Sequence, residues 1–363
     1  MRWTATDMVS RRRILAGLAA SGLLPATSWA SVGTPEFLSA ARDHNGQFVL
    51  AGLRASGDIT FVIPLPARGH AAAAHPTRAE AVAFARRPGT FAVVLDCRDG
   101  SVLAQLSAPA GRHFYGHGAF SADGQTLFTS ENNFEAGEGV IGVWEAGQTY
   151  RRLGEFFSGG VGPHDIKLVH KGTSLLVANG GIETHPDMGR AKLNLPTMRP
   201  NLTYLSLTGA RLESVELPSE MHKNSIRHLA VHRDGTAAFA MQWQGSEAHV
   251  PPLLGLHKRG GHAQLLAAPK ADHRHLKGYA GSVALSGDGR HVAITSPRGG
   301  ALHVFDMDTA AFLKAFEAED VCGLGSTSAG FVYTTGTGLV GTPEGKTMRH
   351  RLQWDNHLVP IAV

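Results

Sequence analysis

The hydrophobic pattern of this chain is one of short runs broken by turns. The stretches TFAVVLDC and SVLAQLS, GVIGVWEA and YRRLGEF, and ALHVFDM and AFLKAFE alternate in polarity and carry many β-branched and aromatic residues, as half-buried strands do. DG, NG and GDG steps between such runs suit tight hairpins. The pattern also repeats. GHGAFSADGQTLFTSEN (116–132) has the outline of RHLAVHRDGTAAFAMQW (227–243) and of GSVALSGDGRHVAITSP (281–297). Further copies start at Leu38, Gly69 and Pro163, and a weaker one at Val321. A unit of about 40 to 50 residues built from short strands predicts a propeller, with four strands to a blade. The fold class expected is all-β: a seven-bladed β-propeller, in preference to a pair of β-sandwiches or an irregular β-helix. The first unit has three clear strands, and the C-terminal segment NHLVPIAV (356–363) is a strand with no partner near it in sequence. It is expected to supply the fourth strand of the first blade and so close the ring, removing two exposed sheet edges.

Two domains of the sequence are separable. Residues 1–30 combine SRRRIL, a short Gly/Ala-rich apolar run and a small-residue exit, SWA, the pattern of an export signal. The adjacent Arg11 and Arg12 make it resemble a twin-arginine signal. That implies the twin-arginine translocase as a partner during export, and a periplasmic location. Residues 31–363 form the single propeller domain. The formal net charge is +4; removal of Arg2, Arg11, Arg12, Arg13 and Asp7 leaves a nearly neutral protein, without the electrostatic footprint of a nucleic-acid binder. No later stretch approaches the roughly 18 apolar residues of a membrane span, so no stable membrane anchor is expected. The two cysteines, Cys97 and Cys322, exclude a disulfide-stapled scaffold but leave a single bridge open.

The 20 histidines are the compositional oddity. Counting back from the turn glycine, His117, His228 and Ser282 are equivalent, with Ser39 in the same place in the first unit. One residue of slippage adds His164 and Cys322, and His70 takes the position in the second unit. Inner strands of a propeller line its central channel, so four consecutive blades are expected to present His70, His117, His164 and His228 on one arc. Such a cluster suits a transition-metal or haem iron site, with iron, copper and zinc as candidates; Asp165 and Cys322 are further candidate ligands. Arg68, Arg112 and Arg227 stand shortly before the histidines and suit a carboxylate or a haem propionate. The competing reading makes the histidines structural, each satisfying backbone and hydroxyl groups of its own blade.

The fourth unit carries a long insertion, NGGIETHPDMGRAKLNLPTMRPNL (179–202). Loops of this length are functional or disordered. Glu183, His185 and Asp187 offer donors, and Arg190, Lys192 and Arg199 suit an anionic ligand. Arg86, Arg87 and Arg298, just after second strands, read as turn residues with solvated charges. Glu131, Glu135 and Glu138 are weaker candidates for a hard cation.

The segments GHGAFSADG, GPHDIKL, VANGGIETHPDMGRAKLNLPTM, SIRHLA, GYAGSVA and ATSPRGG resemble a family of twin-arginine-exported bacterial proteins known as domain of unknown function 1513. That family is similar to seven-bladed propellers of the YVTN or quinoprotein-amine-dehydrogenase type. Its genes tend to lie beside imelysin-like and dihaem thiol-oxidoreductase-like proteins linked to iron uptake. The resemblance implies periplasmic iron handling with such partners and supplies no catalytic residue. Two alternatives stand beside a metal- or haem-binding propeller: a docking platform for an imelysin-like partner, and a lactonase-like hydrolase or oxidoreductase using the same channel mouth.

Overall fold

The short alternating runs fold as strands, and the turn glycines fall between them, in a computed structural model that describes residues 29–328 and 330–361. The expected signal, residues 1–30, lies outside the described residues except for its last two. Trp29 opens a short 3-10 turn, Trp29–Val32. Its buried indole donates to the His75 carbonyl at 3.0 Å.

Strands assemble into seven antiparallel sheets, six of them simple four-stranded meanders, giving the seven-bladed propeller. The inner strands of blades 2 to 7 are Gly69–Ala74, Arg112–Phe120, Pro163–Val169, Asn224–Val231, Ser282–Leu285 and Val321–Ser326. Second strands are covered on both faces by neighbouring blades, which is why Ser174–Asn179 is buried along its whole length. Outer strands such as Arg152–Phe157 and Phe312–Glu317 are largely exposed. Apolar layers fill the wedges between blades: Phe84, Phe114, Leu127 and Trp144 join blades 2 and 3, and Leu202, Tyr204, Ile226 and Phe239 join blades 4 and 5.

Blade 1 joins the two ends of the chain. The C-terminal segment pairs with Phe37–Asp43 through Leu352–Trp354 and Val359–Pro360, in the register Ala41↔Trp354 and Leu38↔Val359. The expected pairing of 356–363 is present through Val359–Pro360, and Leu352–Trp354, just ahead of that segment, pairs as well. The C-terminal segment is innermost, and Phe37–Asp43, Phe48–Leu53 and Ile59–Pro64 follow outward. The reason is legible in burial. Ile59–Pro64 has the half-exposed pattern of the outer strand Val102–Ser107, so the vacancy left by the N-terminal unit is on the channel side. Ser39 therefore sits one strand away from the expected ring and donates from Oγ to the His357 carbonyl at 2.8 Å. Room for the closing segment comes from Gly323 of blade 7, where a Cβ would stand 2.9 Å from the Leu358 nitrogen.

Candidate metal centre in the channel

Regular inner strands would point alternate side chains at the two neighbouring blades, yet the histidines face the axis. A break in strand register accompanies each of them. In blades 2, 3, 4 and 5 the pairing shifts between Gly69 and Ala72, Phe114 and Gly118, Pro163 and Asp165, and Ile226 and His228. Such bulges re-aim a side chain, and here they bracket His70, His117 and His164 and, in blade 5, leave Arg227 unpaired immediately before His228. In blade 1 the gap between the two C-terminal strand pieces does the same for His357.

Five imidazoles meet as a result. Ring centroids are 4.6 Å apart for His70–His357 and His117–His357, 4.8 Å for His228–His357 and His164–His228, 5.0 Å for His70–His117 and 5.1 Å for His117–His164. All five residues are buried. Two trios bring one ligand nitrogen each to within 4.8 Å of one another: His70, His117 and His357, and His117, His164 and His228. The four histidines expected from sequence converge, and the rings turn to one another instead of each to its own blade. His357 escaped the reading because its tail has no turn glycine from which to count. The signal was available, since the segment expected to close the ring carries it.

Protonation is disfavoured at His70, His164, His228 and His357. Burial, then the neighbouring His117 and nearby arginines, hold His70 well below the usual imidazole range. Burial and Arg227 do the same to His164, and burial and His70 to His357. His228 is pushed down to about 3 by burial and His117. Neutral imidazole is the ligating form.

The fine geometry separates the trios. Asp165 is buried; burial alone would raise its carboxyl, but Lys167 and His117 outweigh it and hold the group ionised below the usual carboxylate range. It accepts from the Ile166 and Leu229 amides at 2.8 and 2.9 Å and stands 3.3 Å from His117 Nδ1. In the neutral ring, an ionised carboxylate at Nδ1 places the proton there and leaves the lone pair on Nε2, and that buried atom has no hydrogen-bond partner. His70 and His357 face each other with Nε2 atoms 3.3 Å apart. Two nitrogens on one tetrahedral ion, each at about 2.0–2.1 Å, are separated by about the same distance. His164 differs: its Nδ1 faces Arg227 Nη1 at 3.3 Å, so that lone pair is taken and a cation lies beside it.

Other expected site residues distribute unevenly. Cys322 is buried with Sγ 3.0 Å from the Asp320 carbonyl, outside both trios; its blade carries the same bulge, but burial beside Asp320 raises the thiol pKa strongly. Cys97 is likewise a free buried thiol. Arg68 pairs with Asp355 at 2.8 Å. Arg112 is spent on Glu155 at 2.7 Å, within a network that also contains Arg152 and Glu131. It is a structural ion pair, because its position at the strand start, ahead of the bulge, faces the outer strand of its own blade. Glu131 is thus buried against Arg152, and Glu131, Glu135 and Glu138 form no cation site among the described residues. His185 accepts from the Asp187 amide and lies 3.7 Å from Glu135. Arg199 pairs with Glu216 at 2.8 Å.

Cavities lie on both sides of the histidine layer. One, about 300 Å³, is lined by residues that follow the histidines along the inner strands, including Ala72, Lys167, Leu229, Val283 and Leu324. The other, about 210 Å³, is lined by His70, His164 and His228 together with Arg86, Arg87, Arg190, Lys192, Arg227 and Arg298. Arg190 and Arg227, expected to face an anion, both line this cavity. Arg86 and Arg87, expected as solvated turn charges, are half-buried and join them, and Arg298, exposed as expected, also lines the cavity, because the turn after a second strand returns to the end of the blade where the inner strand begins. The long insertion is ordered across this mouth: Asn132 donates to the Thr184 carbonyl at 2.9 Å, and Lys192 donates to Gln244.

The ring is similar in fold to a solved hydrazine synthase chain from Kuenenia stuttgartiensis, with a TM-score of 0.63 and 12% identity, covering 92% of this chain and 98% of that one. At that identity the likeness is one of architecture alone. No match to the sequence is found among curated proteins. The match to DUF1513, described as a protein of unknown function, runs over residues 63–361, from the end of the third strand through the closing segment, and the chain belongs to that family.

Proposed function

We propose that this protein holds a single transition-metal ion in its channel, on His70, His117 and His357. The observation that carries this reading is the buried, unpartnered Nε2 of His117, preset by Asp165 and facing two further imidazoles. A carboxylate behind a ligating histidine fixes its ring and raises its basicity. Neutral imidazoles without thiolate suit zinc, copper, iron or nickel. A bare ion fits better than haem: rings 4.6–5.1 Å apart leave no gap for a macrocycle, and the cavities beside them are at or below the size of ordinary small-ligand pockets, about 300–1,000 Å³. The finer reading is periplasmic iron handling with imelysin-like or dihaem thiol-oxidoreductase-like partners. What supports it is the signal-like N-terminus and the family resemblance.

The test is metal titration of the purified mature chain by calorimetry, with bound metal counted by mass spectrometry. Wild type is expected to bind one ion. His117→Ala and His357→Ala should each weaken binding at least 100-fold, and His164→Ala less than ten-fold. Loss in His164→Ala with none in His357→Ala would move the ion to the other trio. A wild type that takes up no ion would end the reading.

A further inference from the structure

The smaller of the two cavities carries an unbalanced charge that the metal reading leaves unexplained. Six cationic side chains, Arg86, Arg87, Arg190, Lys192, Arg227 and Arg298, line about 210 Å³ with no Asp or Glu among the lining residues. They come from four separate parts of the fold: the turn of blade 2, the long insertion, the inner strand of blade 5 and the turn of blade 6. Arg227 is 8% exposed, and its Nε has no partner. Among the described residues its only side-chain contact in hydrogen-bond range is His164, a neutral ring. Arg298 stacks over Tyr279 at 4.6 Å instead of pairing with an acid. Burial and mutual repulsion lower the pKa values of Arg86, Arg87 and Arg227, the last to about 10, still high enough to keep them charged at neutral pH. Arg190, Lys192 and Arg298 are exposed at the mouth, whereas Arg86 and Arg87 are half-buried and Arg227 is buried; holding these last three like charges out of water costs stability unless a counter-charge arrives.

We infer that this cavity binds a small polyanion, a molecule bearing two or more carboxylate or phosphate groups. Arginine forks match both groups bidentately, and several arginines converging from different elements require more than one such group to satisfy them. The volume suits a small ligand, since it falls below the range of about 300–1,000 Å³ typical of drug-sized sites. A di- or tricarboxylate, or a small phosphate compound, fills it. His70, His164 and His228 also line the cavity, so the anion sits against the imidazole cluster.

The experiment uses the mature protein stripped of metal, so its result is separate from that of the metal titration. Citrate, succinate, acetate, inorganic phosphate and pyrophosphate are titrated by calorimetry at 150 mM chloride, with thermal melts in parallel. At least one multivalent anion should bind ten-fold or more tightly than acetate and raise the melting temperature. The carboxylate arm against the phosphate arm identifies the class. Arg87→Gln combined with Arg190→Gln should weaken that anion at least ten-fold while circular dichroism stays unchanged; Arg87→Lys with Arg190→Lys should recover part of the affinity. Absence of binding by every anion, acetate binding as tightly as the best of them, or unchanged affinity in the double glutamine variant would overturn the inference.

Discussion

At the residue scale, the histidine cluster depends on small neighbours as much as on the imidazoles. Gly116 adopts φ 101°, and a Cβ there would stand 2.5 Å from His70 Cδ2. Gly116→Ala therefore adds backbone strain of about 1–2 kcal/mol and displaces the His70 ring. Metal affinity is expected to fall at least ten-fold, read by the same titration, while circular dichroism keeps the all-β spectrum; unchanged affinity would show that His70 is not a ligand. Asp165→Asn keeps the shape but removes the charge behind His117, and a loss of about 10–100-fold in affinity is expected, as for other carboxylates behind ligating histidines. Position counting found His70, His117, His164 and His228 because a propeller converts equal offsets in sequence into equal depth in space. It found Asp165 by adjacency, although the sequence could not say that this carboxylate reaches back to the histidine of the preceding blade. The count failed for Ser39, which belongs to a second strand, and for Cys322, whose thiol turns toward Asp320.

Elements were legible where the repeat was regular and less so where chain ends or long turns intervened. Turns carry their own histidine chemistry, and His75 is the clearest case. Its Nδ1 accepts from the Thr77 and Arg78 amides at 3.2 and 2.9 Å, and its Nε2 faces the Gly124 carbonyl at 3.2 Å. This is a structural histidine that ties the blade 2 hairpin to blade 3. Burial, then Arg78, lower its pKa to about 4. The unfolded chain thus takes up the proton first, at its ordinary value near 6.5. Stability from this residue is complete above pH 6.5 and is lost as pH falls from 6.5 toward 4. His303, also near 4 through burial, adds in the same direction. Thermal melts between pH 7.5 and 4 should show a falling melting temperature over that window. His75→Leu should flatten the decline while costing about 1–3 kcal/mol at pH 7 for the two amides left without an acceptor. An identical acid profile in the variant would remove His75 as a source.

For the whole molecule, seven sheets were foreseeable because radial repetition leaves a periodic trace, whereas the inward placement of the last strand needed the burial of its neighbours. Trp354, Leu358 and Ile361 are buried in that seam, so deleting residues 352–363 removes apolar contacts and opens an inner edge. The truncated chain is expected to aggregate or to lose its cooperative melt, as judged by size-exclusion chromatography and calorimetry; a melting temperature within a few degrees of wild type would show that the ring closes without it. His357→Ala keeps the strand and should melt near wild type in the absence of metal, which separates closure from ligation. The placement of His357 has a consequence for the order of events during biogenesis. Its imidazole is made 287 residues after that of His70, which it faces. The proposed ion, bridging them, would act as a rivet across the joint, and only molecules whose circle has been completed would retain it.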